Sequence, residues 1–199
     1  MSNIGTVSQL MRYPVKSMGG EKMNTATLGA QGILGDRGWA VRDELAKCIR
    51  GAKKFPELMQ CKSRYPTEPT AEKAGPAEII FPDGTTVISD TPEAPGQLSR
   101  FLEREVTLWP LQPADKLEHY LRGAPDNPDM VEELRAIFGL EPNESLPDLS
   151  KFPPEIMQYE SPPGTYFDAF PLLVMTESSL AHMQAFVPDA MIDVRRFRP

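Results

Sequence analysis

Lys16 and Ser17 place an ammonium and a hydroxyl side by side after Arg12-Tyr13-Pro14-Val15. They lead into Gly19-Gly20, where backbone amides without side chains can approach a ligand. That combination suits a phosphate; it also suits a solvated turn ahead of a strand. A second candidate is Gly32-Ile33-Leu34-Gly35-Asp36-Arg37-Gly38-Trp39, an Asp-Arg pair between glycines and beside a tryptophan. Arg37 can offer a forked contact to a phosphate or a heterocycle. Alternatively, Asp36 shapes a turn while Arg37 stacks on Trp39 or pairs with a carboxylate. Thr176-Glu177-Ser178-Ser179 follows the apolar run Pro171 to Met175. Hydroxyls at Thr176, Ser178 and Ser179, with the free amides of a helix start, form either an anion site or a plain N-cap. Last comes Arg195-Arg196-Phe197-Arg198, preceded by Asp193, which can neutralise one arginine. An extended segment here predicts Arg196 and Arg198 on one face.

These residues need a scaffold, and 21 prolines and 14 glycines among 199 residues predict one made of short pieces. Short, partly alternating runs at Ile4 to Leu10, Met23 to Leu28, Gly38 to Arg42 and Ala77 to Phe81 read as strands. Pro82-Asp83-Gly84-Thr85 reads as a turn, because proline presets φ and Gly84 can take a positive φ. Glu78 to Phe81 and Thr86 to Ser89 are then the arms of a hairpin. Helical spacing of apolar residues predicts helices over Gly96 to Glu105, Pro128 to Phe138 and Thr176 to Phe186, with Gly139 closing the second. The proline-rich stretch from Glu141 to Gly164 reads as a surface connection.

Composition narrows the partners. A net charge of -7, from 21 basic and 28 acidic residues, disfavours nucleic acid and anionic membranes, so any anion site must be local. No apolar run has the length of a signal peptide or membrane span, which makes a soluble, cytoplasmic protein the expectation. Cys48 and Cys61 form no CxxC and have no nearby histidine, so neither a disulfide framework nor a zinc site is indicated. The Lys53-Lys54 pair between them could lower a thiol pKa, but buried inert thiols are the commoner outcome. His119 and His182 have no matching acid or nucleophile and read as packing or surface residues.

Taken in order, Arg12-Tyr13-Pro14-Val15-Lys16-Ser17, Gly19-Gly20-Glu21, Gly35-Asp36-Arg37-Gly38-Trp39, Gly164-Thr165-Tyr166-Phe167-Asp168, Thr176-Glu177-Ser178-Ser179-Leu180 and Arg196-Phe197-Arg198-Pro199 resemble MOSC proteins with a MOSC N-terminal β-barrel domain. That group includes the mitochondrial amidoxime-reducing component and its bacterial relatives. The resemblance implies an α+β, β-rich fold, with a MOSC N-terminal β-barrel-like domain inserted into an incomplete MOSC barrel. Residues 1–37 would be opening strands shared with the MOSC barrel and 38–112 the N-terminal β domain. Residues 113–165 would be a helical, Pro-rich connection and 166–199 the start of the MOSC domain.

The resemblance also implies molybdenum cofactor (molybdopterin). Lys16, Ser17 and Arg37 would hold the pterin and its phosphate, Thr176 with Ser178 or Ser179 would add donors, and Arg198 would contact it from the terminal segment. Family members continue past Arg-Phe-Arg-Pro to a cysteine whose thiolate binds molybdenum. Neither Cys48 nor Cys61 matches that position, so this chain is expected to lack the metal ligand, to hold little metal, to be inactive alone and to expose unpaired strand edges. The complete form would reduce N-hydroxylated small molecules with electrons from a partner redox protein. The alternatives are a non-catalytic cofactor carrier and a sulfur-transfer MOSC protein, although the pyridoxal-phosphate-binding domain usual in the latter is not recognisable.

Overall fold

The computed structural model describes residues 5–70, 74–151, 158–168 and 170–197. Among them the fold is mixed α+β, with short antiparallel strands in two- and three-stranded sheets and no closed barrel. β1 (Leu10–Arg12) pairs with β2 (Glu21–Met23), and β3 (Leu28–Gly29) with β4 (Gly32–Ile33). β5 (Trp39–Asp43) is followed by β6 (Cys48–Arg50), β7 (Lys62–Arg64), β8 (Glu78–Ile80) and β9 (Thr86–Ile88). Helix α1 (Glu93–Phe101) leads into β10 (Val106–Pro110), and α2 (Leu117–Tyr120), α3 (Met130–Phe138) and α4 (Glu177–Phe186) complete the order. The sheets run β10-β5-β6 and β7-β8-β9.

β5 is the central strand because both of its faces are buried. Trp39 and Val41 point into the main core with Leu58, Ile79, Leu98, Val106 and Leu108. Ala40, between them, points the other way into a second core with Ile49, Tyr120 and Tyr166. Period-two alternation in one strand therefore joins the early sheets to the later part of the chain. Helix α1 closes the main core with Ala94 and Leu98, and Phe101 meets Phe81 edge-on at 5.4 Å.

The expected hairpin forms, with Glu78 opposite Ile88 and Ile80 opposite Thr86. Gly84 holds φ at 86°, and the Asp83 carboxylate accepts the Thr85 N–H at 2.9 Å. Helix α3 starts on an Asp129 cap and ends at Gly139 in the left-handed region, as its spacing predicts. Other expectations shift. Strand β1 begins at Leu10, where Ile4 to Leu10 was the expected strand, and Gly5 to Gln9 carry no strand structure; Ile4 lies outside the described residues. Met23 to Leu28 splits into the end of β2 and the start of β3. Helix α1 starts at Glu93 and ends at Phe101, short of the expected Glu105, because Glu103 adopts a positive φ of 50°.

The terminal arginine segment is corrected too. Val194–Phe197 is a 3-10 turn, so the alternation expected of an extended strand does not apply, and Arg198 lies outside the described residues. Phe170, Val174, Phe186 and Met191 are all exposed around α4. No helix among the described residues is long and apolar enough to cross a membrane.

Ile79 is fully buried at the middle of β8, whereas Leu45 is 78% exposed in the β5–β6 turn. Ile79→Ala is expected to lower unfolding free energy by about 2–5 kcal/mol. Leu45→Ala should stay within about 0.5 kcal/mol of the parent. Denaturant unfolding of both variants checks the placement of the core.

Candidate functional site

The first two candidate segments lie side by side. The Tyr13 N–H donates to the Asp36 carboxylate at 2.7 Å, and the Arg37 N–H donates to the Tyr13 carbonyl at 2.7 Å. The Trp39 N–H then donates to the Pro14 carbonyl at 3.1 Å, and the Lys16 N–H to the Trp39 carbonyl at 2.8 Å. Pro14 has no N–H to offer and contributes only its carbonyl, so it fits this ladder without loss. Ser17 and Arg37 hold positive φ values of 68° and 52°. Such conformations cost about 1–3 kcal/mol each and persist where surrounding contacts over-determine them.

This ladder aims Lys16 inward, where it is buried. Its ammonium donates to the Tyr166 carbonyl at 2.8 Å, to Asp168 Oδ1 at 2.5 Å and toward Ser161 Oγ at 3.5 Å. Gly51 makes room for the stem: a Cβ there would sit 2.8 Å from Ser17 Oγ and 3.3 Å from Lys16 Cε. Ser17 accepts the Ala52 N–H at 2.8 Å, which fixes the 51–53 turn against Lys16. Burial lowers the Lys16 pKa; the Asp168 carboxylate pulls it back up without fully compensating, and the Arg37 charge adds to the lowering. Partial desolvation pushes the Asp168 carboxyl up, but Lys16, then Lys53 and Arg37, hold it below its ordinary value.

Arg37 is buried, pairs with Asp36 at 3.0 Å and lies over the rings of Tyr13 and Phe167 at 5.3 and 5.7 Å. Trp39, the stacking partner considered from sequence, instead donates its indole N–H to the Gly75 carbonyl at 2.8 Å. Arg37, Asp36 and Trp39 line a cleft of about 610 Å³, with Gly164, Tyr166 and Phe167 on the facing wall. Lys16 is not part of that lining, but it is close enough to Arg37 for their charges to interact. A smaller hollow beside α3, lined by Glu132, Arg135 and Leu140, contains none of these residues.

The amide of Gly19, expected to be open to a ligand, is taken up by the fold and donates to the Cys61 carbonyl at 2.9 Å. Gly20 serves close packing, since a Cβ would approach the Arg12 carbonyl oxygen to 2.2 Å. Thr176 caps α4 by accepting the Ser179 N–H at 3.0 Å, and its hydroxyl meets the Ser179 hydroxyl at 2.9 Å. Ser178 and Ser179 are exposed, and no described hydrogen bond links Thr176, Ser178 or Ser179 to Lys16 or Arg37. Thus Lys16, Ser17 and Arg37 come together, whereas the α4 hydroxyls form a cap of their own.

Asp168, Ser161, Lys53 and Gly51 complete the cluster; the sequence pattern assigned no role to Asp168, Ser161 or Gly51, and Lys53 entered only as a neighbour of the cysteine thiols. Asp168 belongs to the Gly164–Asp168 motif, so its carboxylate was the available signal. His119 is a packing residue, as expected, with Nε2 2.7 Å from the Tyr166 hydroxyl. Burial first, then Arg42 and Lys116, lowers its pKa. Both cysteines are buried and free, with burial raising their pKa values, that of Cys61 to about 11. Neither offers a thiolate at neutral pH, and no group of three or more potential metal ligands occurs among the described residues.

The Asp168 shift has a direct consequence. A carboxyl with a lowered folded pKa contributes stability above its ordinary value, and that contribution is lost as pH falls through the lowered one, below about pH 4. Lys16→Met is expected to move the Asp168 titration upward and, by removing the depression of its pKa, to abolish the Asp168 share of the acid-dependent loss, so that stability falls less steeply below about pH 4 than in the parent. Side-chain carboxyl NMR across the acid range reads the first change and melting temperature the second.

A family model described as the MOSC N-terminal beta barrel domain matches residues 4–102, which include Lys16, Ser17, Arg37 and Gly51. No curated protein matches the chain. Through residues 4–102 the chain belongs to the MOSC N-terminal beta barrel domain family, a family associated with molybdenum-cofactor-binding proteins.

Proposed function

We propose that this chain binds molybdenum cofactor as part of a MOSC oxidoreductase that reduces N-hydroxylated small molecules, with electrons from a partner redox protein. The observation that carries the reading is the buried Lys16 ammonium, aligned with Arg37 by the ladder between their segments inside the family-matched region.

The anionic end of the cofactor fits these residues. Lys16, Lys53 and Arg37 all act on the Asp168 carboxylate, so three cations gather at one point in a chain of net charge -7. Lys16 supplies a point charge for a phosphate, and Arg37 supplies a planar donor fork at the edge of a cleft sized for a fused heterocycle. The metal end does not fit the described residues, because both thiols are protonated and buried. When bound, the cofactor supplies a redox-active metal for removal of the substrate oxygen. The residues of this chain bind and orient its pterin and phosphate. The Arg37 guanidinium lies over the Tyr13 and Phe167 rings, Gly51 admits the Lys16 stem, and Trp39 and Tyr166 line the cleft wall.

Purified from cells that make molybdenum cofactor, the chain is expected to retain pterin, detected by fluorescence after oxidation. Lys16→Met and Arg37→Met should each reduce that content at least about tenfold, equivalent to one strong charged contact, with circular dichroism unchanged. Absence of pterin from the folded parent protein would overturn the binding assignment. An assay with benzamidoxime and a chemical electron donor tests the catalytic part. Retained pterin without reduction would favour the carrier function over the oxidoreductase.

A further inference from the structure

We propose that Asp168 is a built-in competitor for the anion position on Lys16, making the site selective for a doubly charged phosphate over singly charged anions. The inference rests on the reading of Lys16 as a phosphate ligand given above.

An ammonium has three N–H donors and no acceptor. On Lys16 they face the Tyr166 carbonyl, Ser161 Oγ and Asp168 Oδ1. Tyr166 and Ser161 are 1% and 2% exposed, and the Tyr166 acceptor belongs to the backbone. The Asp168 side chain is 67% exposed. Of the three, it is the acceptor that can swing out into solvent by rotating about its own side-chain bonds. An external anion therefore reaches Lys16 by taking the place of Asp168.

Charge then decides which anion succeeds. Asp168 is held by attraction to Lys16, Lys53 and Arg37, and Glu160 adds a weaker negative influence on Lys16. A singly charged ligand replaces one carboxylate with an equivalent charge and must also tolerate the displaced Asp168 nearby. A phosphate monoester carries nearly two charges at neutral pH and offers three acceptor oxygens to the same cations. Lys53, exposed beside the Ser17-anchored 51–53 turn, is positioned to meet it at the solvent side. The net effect is discrimination by charge, produced by an internal rival rather than by shape.

The test titrates the chain with methyl phosphate and with methyl sulfate, tetrahedral ions that differ in charge, at about pH 8, well above the second phosphate pKa near 6. Calorimetry is expected to give a preference for methyl phosphate of at least about tenfold in the parent protein. Asp168→Asn should raise methyl sulfate affinity about tenfold and narrow the preference, as expected when one charged competitor is removed. In the parent protein, methyl phosphate should shift the Asp168 amide resonance, and this response should vanish in Lys16→Met. Asp168→Ser serves as the second variant if Asp168→Asn does not fold by circular dichroism. Methyl phosphate binding that is lost in Lys16→Met but unchanged or weakened by loss of the Asp168 carboxylate would overturn the competitor role and leave the phosphate-site reading intact. Folded protein that binds neither ion in any variant would overturn the phosphate-site reading itself.

Discussion

The hydrogen-bond ladder between residues 13–16 and 36–39 is the constraint on which the other contacts depend. Asp36 accepts the Tyr13 amide at one end, and the Trp39 carbonyl accepts the Lys16 amide at the other. Trp39 is also the first residue of β5, whose pairing with β10 and β6 builds the central sheet. The same residue therefore starts the sheet and sets the height of Lys16 above it. From β6 the chain passes directly to Gly51, where the Lys16 stem needs a missing side chain. Replacing Asp36 would remove an acceptor for a buried amide and the partner of Arg37 together, so the two cations share one structural support.

An acidic protein that buries Arg12, Lys16, Arg37 and Arg50 has to solve a desolvation problem four times over. Each of these cations has a carboxylate: Glu21 and Glu68 for Arg12, Asp168 for Lys16, Asp36 for Arg37, and Asp126 for Arg50. Every buried side-chain nitrogen and oxygen among the described residues has a hydrogen-bond partner. The pairs differ in how firmly they are closed. Arg12 is gripped by Glu68 through two nitrogens at 2.6 and 3.0 Å and lies over the Tyr65 ring at 4.9 Å. That arrangement ties β1 to the loop beyond β7. Lys16 is matched by one carboxylate through a single oxygen, which makes it the more exchangeable of the two.

Local chemistry was legible in the sequence wherever it acted locally. The 82–85 turn, the Gly139 terminus and the Thr176 cap follow from the conformational preferences of one or two residues, and the structure contains all three. β6 and β7 were not legible, because strands of three residues are too short to display alternation. Helix α2 was missed for the same reason, since four residues carry no helical period. At the site, residue type and the glycine-flanked Asp-Arg pair were enough to single out Lys16, Ser17 and Arg37. Their partners were hidden, because the contact between Lys16 and Asp168 spans 152 positions and leaves no mark on local composition. Arg37 shows the limit of proximity in sequence: Trp39 is two positions away, yet its indole serves Gly75 while the guanidinium is covered by Tyr13 and Phe167.

The same separation bears on how the protein is made. Lys16 and the Tyr166 carbonyl lie 150 positions apart, so the first has left the ribosome long before the second is synthesised. At translation rates of about 5–20 residues per second, that gap corresponds to roughly 8–30 seconds. During this interval the early sheets can fold around β5 while the Lys16 ammonium remains hydrated, with no acceptor yet available to take it out of water. Burial of that charge is therefore a late event on the time scale of synthesis, and the nascent chain passes through a stage in which its future interior cation is still a surface group.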